Sequence, residues 1–112
     1  MSMTVSILGT EYKIFYRTPK EDKVLEENDG YCDFSSKEIV ISLDEGNLHD
    51  HERYRRKVLR HEIVHAFMYE SGLDVNAFVS NRSWAVNEEM IDWIAIQGEK
   101  IHKAWREVNC LD

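Results

Sequence analysis

Residues 50–72 read DHERYRRKVLRHEIVHAFMYESG, and this stretch has the periodicity of one long helix. Asp50 is placed to cap its first turn, and Gly72 is placed to end its last turn. The sequence therefore predicts a helix of about twenty residues, long enough to be the central element of a small domain. Six side chains recur at helical spacing and share one face: Tyr54, Val58, His61, Glu62, His65 and Tyr69.

Within this helix, residues 61–65 read HEIVH. Positions four apart lie one turn above each other, so His61 and His65 can direct their imidazoles at one metal ion. Glu62 lies on the flank of that face, beside an open coordination position and any water bound there. A zinc ion lowers the pKa of its bound water from about 16 to about 7, so a carboxylate can take the proton at neutral pH.

A chance pair of histidines on a charged helix is the alternative interpretation. Burial of two imidazoles and a carboxylate without partners costs several kcal/mol, so an apolar setting favours a metal site. The neighbouring residues supply such a setting: Val58, Ile63, Val64, Ala66 and Phe67.

Two histidines leave a catalytic zinc site one protein ligand short, since three is the usual number. The metzincin pattern H-E-x-x-H-x-x-G-x-x-H is excluded, because Met68 and Ser71 stand where it needs Gly and His. Further along the chain, residues 87–92 read NEEMID and supply two glutamates. Glu88 and Glu89 are both candidate ligands, although acidic residues in a first helical turn also interact favourably with the helix dipole without any metal.

The spacing Asn87-Glu88-x-x-x-Asp92 resembles the second motif of the thermolysin-type gluzincins. The whole chain resembles the minigluzincins and similar short H-E-x-x-H proteins encoded by phages and prophages. This resemblance implies a zincin-like fold, Zn²⁺ as cofactor, Glu88 as the third ligand, and Asp92 as acceptor of a hydrogen bond from His61. Glu89 would point about 100° away on the same helix, which favours Glu88.

In that family, a strand just before the active-site helix forms the rim of the cleft and pairs with an extended peptide. The resemblance places residues 37–42, KEIVIS, in this position. Ile39, Val40 and Ile41 would then bind substrate along an unpaired strand edge. An ordinary core strand is the alternative that these residues equally allow.

The N-terminal part of the chain predicts an α+β fold, in which a small antiparallel or mixed sheet packs on the long helix and on a second, C-terminal helix. TVSIL and EYKIFYR read as neighbouring strands around a turn at Gly9 and Thr10. Residues 19–29 predict a short exposed helix. Residues 31–34 and 37–43 predict a hairpin whose second strand is the better one.

The second long helix begins near Ser83 or Asn87, after a loop over residues 73–83. Gly98 weakens it by about 1 kcal/mol relative to Ala. Its predicted core stripe consists of Met90, Ile94, Gln97, Ile101, Ala104 or Trp105, and Val108.

The composition of the chain limits the number of domains, the possible partners and the location. A chain of 112 residues, 43% of them hydrophobic, predicts one domain over residues 1–112 and a monomer. The net charge of −7 argues against a nucleic-acid surface, and the basic run RYRRK over 53–57 predicts a solvated helix face. A signal peptide or membrane anchor is not visible, which predicts a cytoplasmic protein without a membrane partner. Cys32 and Cys110 are too few for a disulfide framework and predict reduced thiols.

These features together predict a zinc endopeptidase, active or latent, that cleaves an intracellular protein or peptide with Glu62 as general base. A non-catalytic interaction module of phage or mobile-element origin, stabilised by zinc, is the alternative. A metal-dependent hydrolase of a non-peptide bond is a third candidate, because the motif activates water without choosing the electrophile.

Overall fold

The computed structural model of the chain describes residues 3–44, 46, 49–73 and 86–112. Within these residues the elements are β1 (Met3–Ile7), β2 (Thr10–Arg17), β3 (Gly30–Asp33), β4 (Glu38–Ser42), α1 (His51–Glu70) and α2 (Glu88–Glu107). A short 3-10 helix, Lys23–Glu26, lies between β2 and β3, where the sequence predicts a short helix. This arrangement confirms the predicted α+β fold. Most of the predicted 73–83 loop, and Ser83 with it, lies outside the described residues.

The four strands form one mixed sheet in the order β1-β2-β4-β3. β1 and β2 are antiparallel, and so are β3 and β4, which confirms both predicted strand pairs. Leu8 and Gly9 join the first pair with φ angles of 50° and 88°, the positive values that a tight two-residue hairpin turn needs. The two pairs are joined by parallel pairing of β2 with β4, from Lys13 beside Glu38 to Arg17 beside Ser42.

The parallel pairing places β4 inside the sheet, hydrogen-bonded to β2 on one side and to β3 on the other. Ile39, Val40 and Ile41 are each 0% exposed. The prediction that these residues form an unpaired substrate-binding edge is therefore wrong. Three consecutive apolar residues are the pattern of a strand covered on both faces, because both sets of alternating side chains are buried. Among the described strands, β3 is the edge strand on this side of the sheet.

Helix α1 packs on the sheet, as its amphipathic pattern predicts. Val58 and Ala66 of α1 are buried in one cluster with side chains from three strands: Ile7, Tyr12, Ile14, Ile39 and Ile41. The predicted N-cap is confirmed, since the Asp50 side chain accepts a hydrogen bond from the Arg53 backbone N–H at 3.0 Å. At the other end, the predicted stop is confirmed by Gly72, whose φ of 76° follows the last helical residues.

The C-terminal end of α1 is tied to the sheet through the Glu70 carboxylate. The buried Tyr12 hydroxyl donates to its Oε2 atom at 2.6 Å, and the Thr10 hydroxyl donates to its Oε1 atom at 3.2 Å. Lys37 Nζ lies 2.8 Å from Oε2. Hydrogen bonds from Lys37 and then from Tyr12 are the chief causes that lower the pKa of Glu70. One carboxylate therefore joins the end of the helix to β2 and to the turn before β4.

Helix α2 packs on α1 through its first half. Asn87 caps α2, accepting from the Met90 N–H at 2.8 Å, which matches one of the two predicted start points. Ile91 and Ala95 are its buried residues, and Arg60 Nε of α1 donates to the Ala95 carbonyl at 2.6 Å. None of the described helices combines the length and apolar character that a membrane span requires.

The predicted core stripe of α2 omits Ile91 and Ala95, the residues of this helix that are buried, and it is wrong in its second half. Trp105 and Val108 are 49% and 73% exposed, and Ala104 is also exposed. Apolar spacing shows which side chains share a face, but it does not show where the contact with a neighbouring helix ends.

The prediction that the RYRRK run is a solvated helix face is correct for only part of the run. Arg53 and Arg56 are exposed. Arg55 instead lies 2.7 Å from Glu52 and donates to the Leu43 carbonyl at 3.2 Å. Lys57 lies against α2, as described below.

Gly30 and Gly98 provide a matched test of packing. A Cβ at Gly30 would lie 2.9 Å from Val58 Cγ1 and 3.0 Å from the Val40 carbonyl oxygen, whereas a Cβ at Gly98 would meet nothing within 4 Å. We expect Gly30→Ala to lower the free energy of unfolding by about 1–3 kcal/mol through overpacking. Gly98→Ala should raise it by about 0.5–1 kcal/mol, because glycine weakens a helix interior. Urea unfolding of both variants measures these changes, and equal effects would contradict the close approach of β3 to α1.

The lowered pKa of Glu70 predicts a pH-dependent contribution to the stability of the fold. Because its pKa is lowered in the folded state, the contribution is complete above the ordinary glutamate pKa and is lost as pH falls through the folded value. We expect Glu70→Gln to lower the melting temperature at pH 7 and to have a smaller effect at pH 3. Circular dichroism melts measure this, with the exposed Glu99→Gln variant as control. A melting-temperature difference independent of pH would contradict the role of the carboxylate.

Candidate metal centre

Helices α1 and α2 bring two imidazoles and one carboxylate together. Glu88 Oε1 lies 2.8 Å from His65 Nε2 and 3.3 Å from His61 Nε2. One ligand atom from each of the three side chains lies within 4.8 Å of the others. His61 and His65 share a face of α1 because they are four residues apart, and Glu88 reaches them from the first turn of α2.

The donor set fits a catalytic zinc ion. Two imidazole nitrogens and one carboxylate oxygen are a usual set of protein ligands for such sites, and they leave the fourth position for water or substrate. Ligands about 2.1 Å from one tetrahedral ion lie roughly 3.4 Å apart. The distances of 2.8 and 3.3 Å from Glu88 are close to this spacing. The Glu88 side chain is 65% exposed, so it has room to move outward until its distances to the two histidines match the spacing around a zinc ion.

Asp92 orients the first histidine of the cluster. Its Oδ1 atom lies 3.1 Å from His61 Nδ1, the ring nitrogen on the far side from the other ligands. When Nδ1 carries the proton of this hydrogen bond, Nε2 presents its lone pair to the cluster. The same Oδ1 atom lies 2.7 Å from Lys57 Nζ. The hydrogen bond from Lys57, and then that from His61, lower the pKa of Asp92 and keep it an acceptor.

Glu62 is a buried carboxyl group beside the cluster. Its side chain is 7% exposed, and it lines the same cleft as the three candidate ligands. Burial raises the pKa of Glu62 to about 7, with a smaller contribution from the negative charge of Glu88, while His61 acts in the opposite direction. A carboxyl group that titrates near neutral pH can both accept a proton and return it.

The cleft has a volume of about 370 Å³. One wall comes from α1 and α2 and carries the cluster, Glu62, Asp92 and Lys57. The other wall comes from β3 and the residues next to it, from Asn28 to Cys32 and at Phe34. The Tyr54 hydroxyl donates to the Asp29 carboxylate and so connects the two walls at one end. The candidate metal centre therefore faces the edge strand of the sheet.

The edge of β3 presents backbone groups to this cleft. The Asp29 carbonyl accepts from Ser42 N–H at 2.9 Å, and Gly30 lies opposite Ile41 in the next position of the antiparallel ladder. In such a ladder, the N–H and C=O groups of alternate residues point toward the partner strand and away from it. Gly30 and Cys32 are thus the residues of β3 whose backbone groups face away from β4.

The structure brings together the residues predicted from the two motifs: His61, Glu62, His65, Glu88 and Asp92. Glu89 is exposed and does not belong to the three-residue cluster. Ile39, Val40 and Ile41 lie behind β3 and do not line the cleft. Sequence reasoning did not identify Gly30 or Lys57 as cleft residues. The signal for Lys57 was available, because it precedes His61 by four residues on the same helix face.

Comparison with protein-family models, with curated proteins and with solved structures gave no match for this chain. Its function is therefore inferred from the residues and geometry of the site.

Metal binding can be tested with two adjacent glutamates. We expect the wild-type chain to bind one Zn²⁺, and Asp92→Asn to weaken binding by roughly 10–100-fold, the usual cost of losing the partner of a ligand. Glu88→Gln should weaken binding further, because it removes a ligand itself. Glu89→Gln is the matched control and should bind as the wild type does. Competition with a zinc chelator measures the four affinities, and equal losses for Glu88→Gln and Glu89→Gln would contradict the assignment of Glu88.

Proposed function

We propose that the chain is a zinc-dependent endopeptidase that cleaves an intracellular protein in the cytoplasm. The observation that carries this proposal is the position of Glu62, buried in a cleft beside a two-histidine, one-glutamate cluster. A purely structural metal site usually takes four protein ligands and needs no buried acid beside it. A buried carboxylate beside an open metal position is placed to take a proton from metal-bound water, which suits the site to hydrolysis.

The residues of the chain divide the reaction between them. His61, His65 and Glu88 would hold zinc, which supplies a Lewis acid that lowers the pKa of water and polarises the scissile carbonyl. Glu62 takes a proton from the attacking water and delivers it to the leaving amine, so the carboxylate is regenerated at the end of the cycle. Asp92 keeps the His61 ring in the orientation that directs Nε2 at the other two candidate ligands.

The edge of β3 supports a peptide as the substrate. An extended peptide can add to a free strand edge through backbone hydrogen bonds, whatever its side chains are. Gly30 and Cys32 offer such groups on the wall opposite the metal ligands. Substrate binding is thus assigned to β3, in place of the residues of β4 that the sequence suggested.

Glu62→Gln tests the catalytic role. The amide keeps the shape of the side chain but cannot accept the proton, so we expect zinc to remain bound and peptide cleavage to fall by about 10²–10⁴-fold, the range for general-base catalysis. Substrates are found by comparing newly formed protein termini in cells that express the wild type or this variant. Zinc content, measured on both purified proteins, separates loss of chemistry from loss of metal. Glu89→Gln serves as the control and should cleave as the wild type does.

Two results would count against the proposal. Full cleavage by Glu62→Gln would remove Glu62 from the mechanism. Stoichiometric zinc in a wild-type protein that generates no new termini would favour the alternative, a non-catalytic interaction module stabilised by the metal.

A further inference from the structure

Lys57 is held in the cleft beside the metal centre. It precedes His61 by one helical turn on α1, and its Nζ atom lies 2.7 Å from Asp92 Oδ1. The ammonium group also lies 5.9 Å from the centroid of the Tyr54 ring, within the range of a cation–π contact. The side chain is 29% exposed, so it is restrained by α2 and by Tyr54 while it still reaches solvent in the cleft.

The N–H donors of Lys57 that Asp92 does not use matter because several other side chains on this wall are carboxyl groups. Among the described residues that line the cleft, Lys57 is the only lysine or arginine. Glu62, Glu88 and Asp92 on the same wall are carboxyl groups. An ammonium group has three N–H donors, and within the described structure Asp92 is its hydrogen-bonded partner. Lys57 therefore has N–H groups left to donate to a molecule in the cleft.

A bound peptide needs such a donor. In an extended chain, successive carbonyl groups point to opposite sides, and carbonyls on the same side recur every two residues, about 6.7 Å apart. A peptide that pairs with β3 directs half of its carbonyls to the opposite wall, and buried carbonyls require partners. Residues one turn apart on a helix face are about 5–6 Å apart at Cβ, which is similar to that repeat.

The direction of the peptide follows from β3. Gly30 lies next to Val58, and Cys32, further along β3, is near Glu62, further along α1. The strand and the helix thus run in the same direction. Antiparallel pairing is slightly more stable per residue than parallel pairing. A peptide that pairs with β3 in this way runs from the level of Glu62 toward Lys57, so its residues after the scissile bond lie at the level of Lys57.

We propose that Lys57 binds the main-chain carbonyl two residues after the scissile carbonyl of an extended peptide. This inference rests on the proposed peptidase function and deepens it. The protein then favours substrates that continue for at least two residues beyond the cleaved bond over the removal of a single C-terminal residue.

Two metal-binding probes of different length test this role without any known substrate. Each probe is a peptide with a hydroxamate at its N-terminal end and an amide at its C-terminal end. The short probe has one residue, and the long probe has three. The hydroxamate fixes the register at the metal, and only the long probe contains the carbonyl assigned to Lys57. Calorimetry with zinc-loaded protein measures both affinities in the wild type, Lys57→Met and Lys57→Arg.

We expect Lys57→Met to weaken binding of the long probe about tenfold, because one charge-assisted hydrogen bond is lost. The affinity for the short probe should stay within about twofold of the wild-type value. Lys57→Arg should restore part of the loss, because it keeps the positive charge and its donors. Lys100→Met, at an exposed lysine of α2, is the matched control and should change neither affinity. Chelator competition on each variant shows whether zinc binding itself has changed through Asp92.

The outcomes separate the two proposals. If both probes bind the wild type and Lys57→Met weakens neither, or weakens both equally, the role of Lys57 is wrong and the metal centre stands. If neither probe binds zinc-loaded wild-type protein, the open metal position is wrong, and the proposed function fails together with this inference.

Discussion

One constraint organises the molecule: α1 packs under the sheet and also presents the candidate metal centre. Two adjacent rows of side chains on this helix meet the two demands. Val58, Glu62 and Ala66, four residues apart, are its buried residues. The neighbouring row contains Lys57, His61 and His65, which face the cleft. Glu62 therefore reaches the centre from the row that packs under the sheet. This position explains why burial is the largest cause of its raised pKa.

The contact between α1 and α2 is both a packing interface and part of the site. Ile91 and Ala95 bury the apolar side of α2, while Glu88 and Asp92, one turn apart, reach the row that contains His61. Asp92 accepts from His61 and from Lys57, so it restrains two cleft side chains at once. A change in how α2 lies on α1 would alter both the distances from Glu88 to the two histidines and the hydrogen bond between Asp92 and His61. The shared interface thus couples stability to the geometry of the centre.

The sequence predicted local features well, because helical spacing, caps and turns are encoded by neighbouring residues. The extent of α1, its Asp50 cap and the two antiparallel strand pairs are confirmed, and both motifs of the site lie where one cluster can form. The parallel pairing of β2 with β4 joins segments more than twenty residues apart, and no local pattern specifies it. The Ile39–Ile41 run fits either a core strand or an edge, so the open edge was predicted one strand away from β3, the strand that lies at this edge of the described sheet.

Under the proposed function, the β3 edge has to be open to a peptide without pairing with other strand edges. Exposed edges of this kind promote aggregation, and proteins protect them with short strands and charged residues. β3 has four residues, and the carboxylates of Asp29 and Asp33 stand before and at the end of it. In a chain of net charge −7, another copy meets like charges at this edge. The edge can then offer only a few backbone hydrogen bonds, and much of the binding energy for a peptide has to come from the opposite wall. Under the proposed function, the candidate metal centre and Lys57 supply that part of the peptide binding.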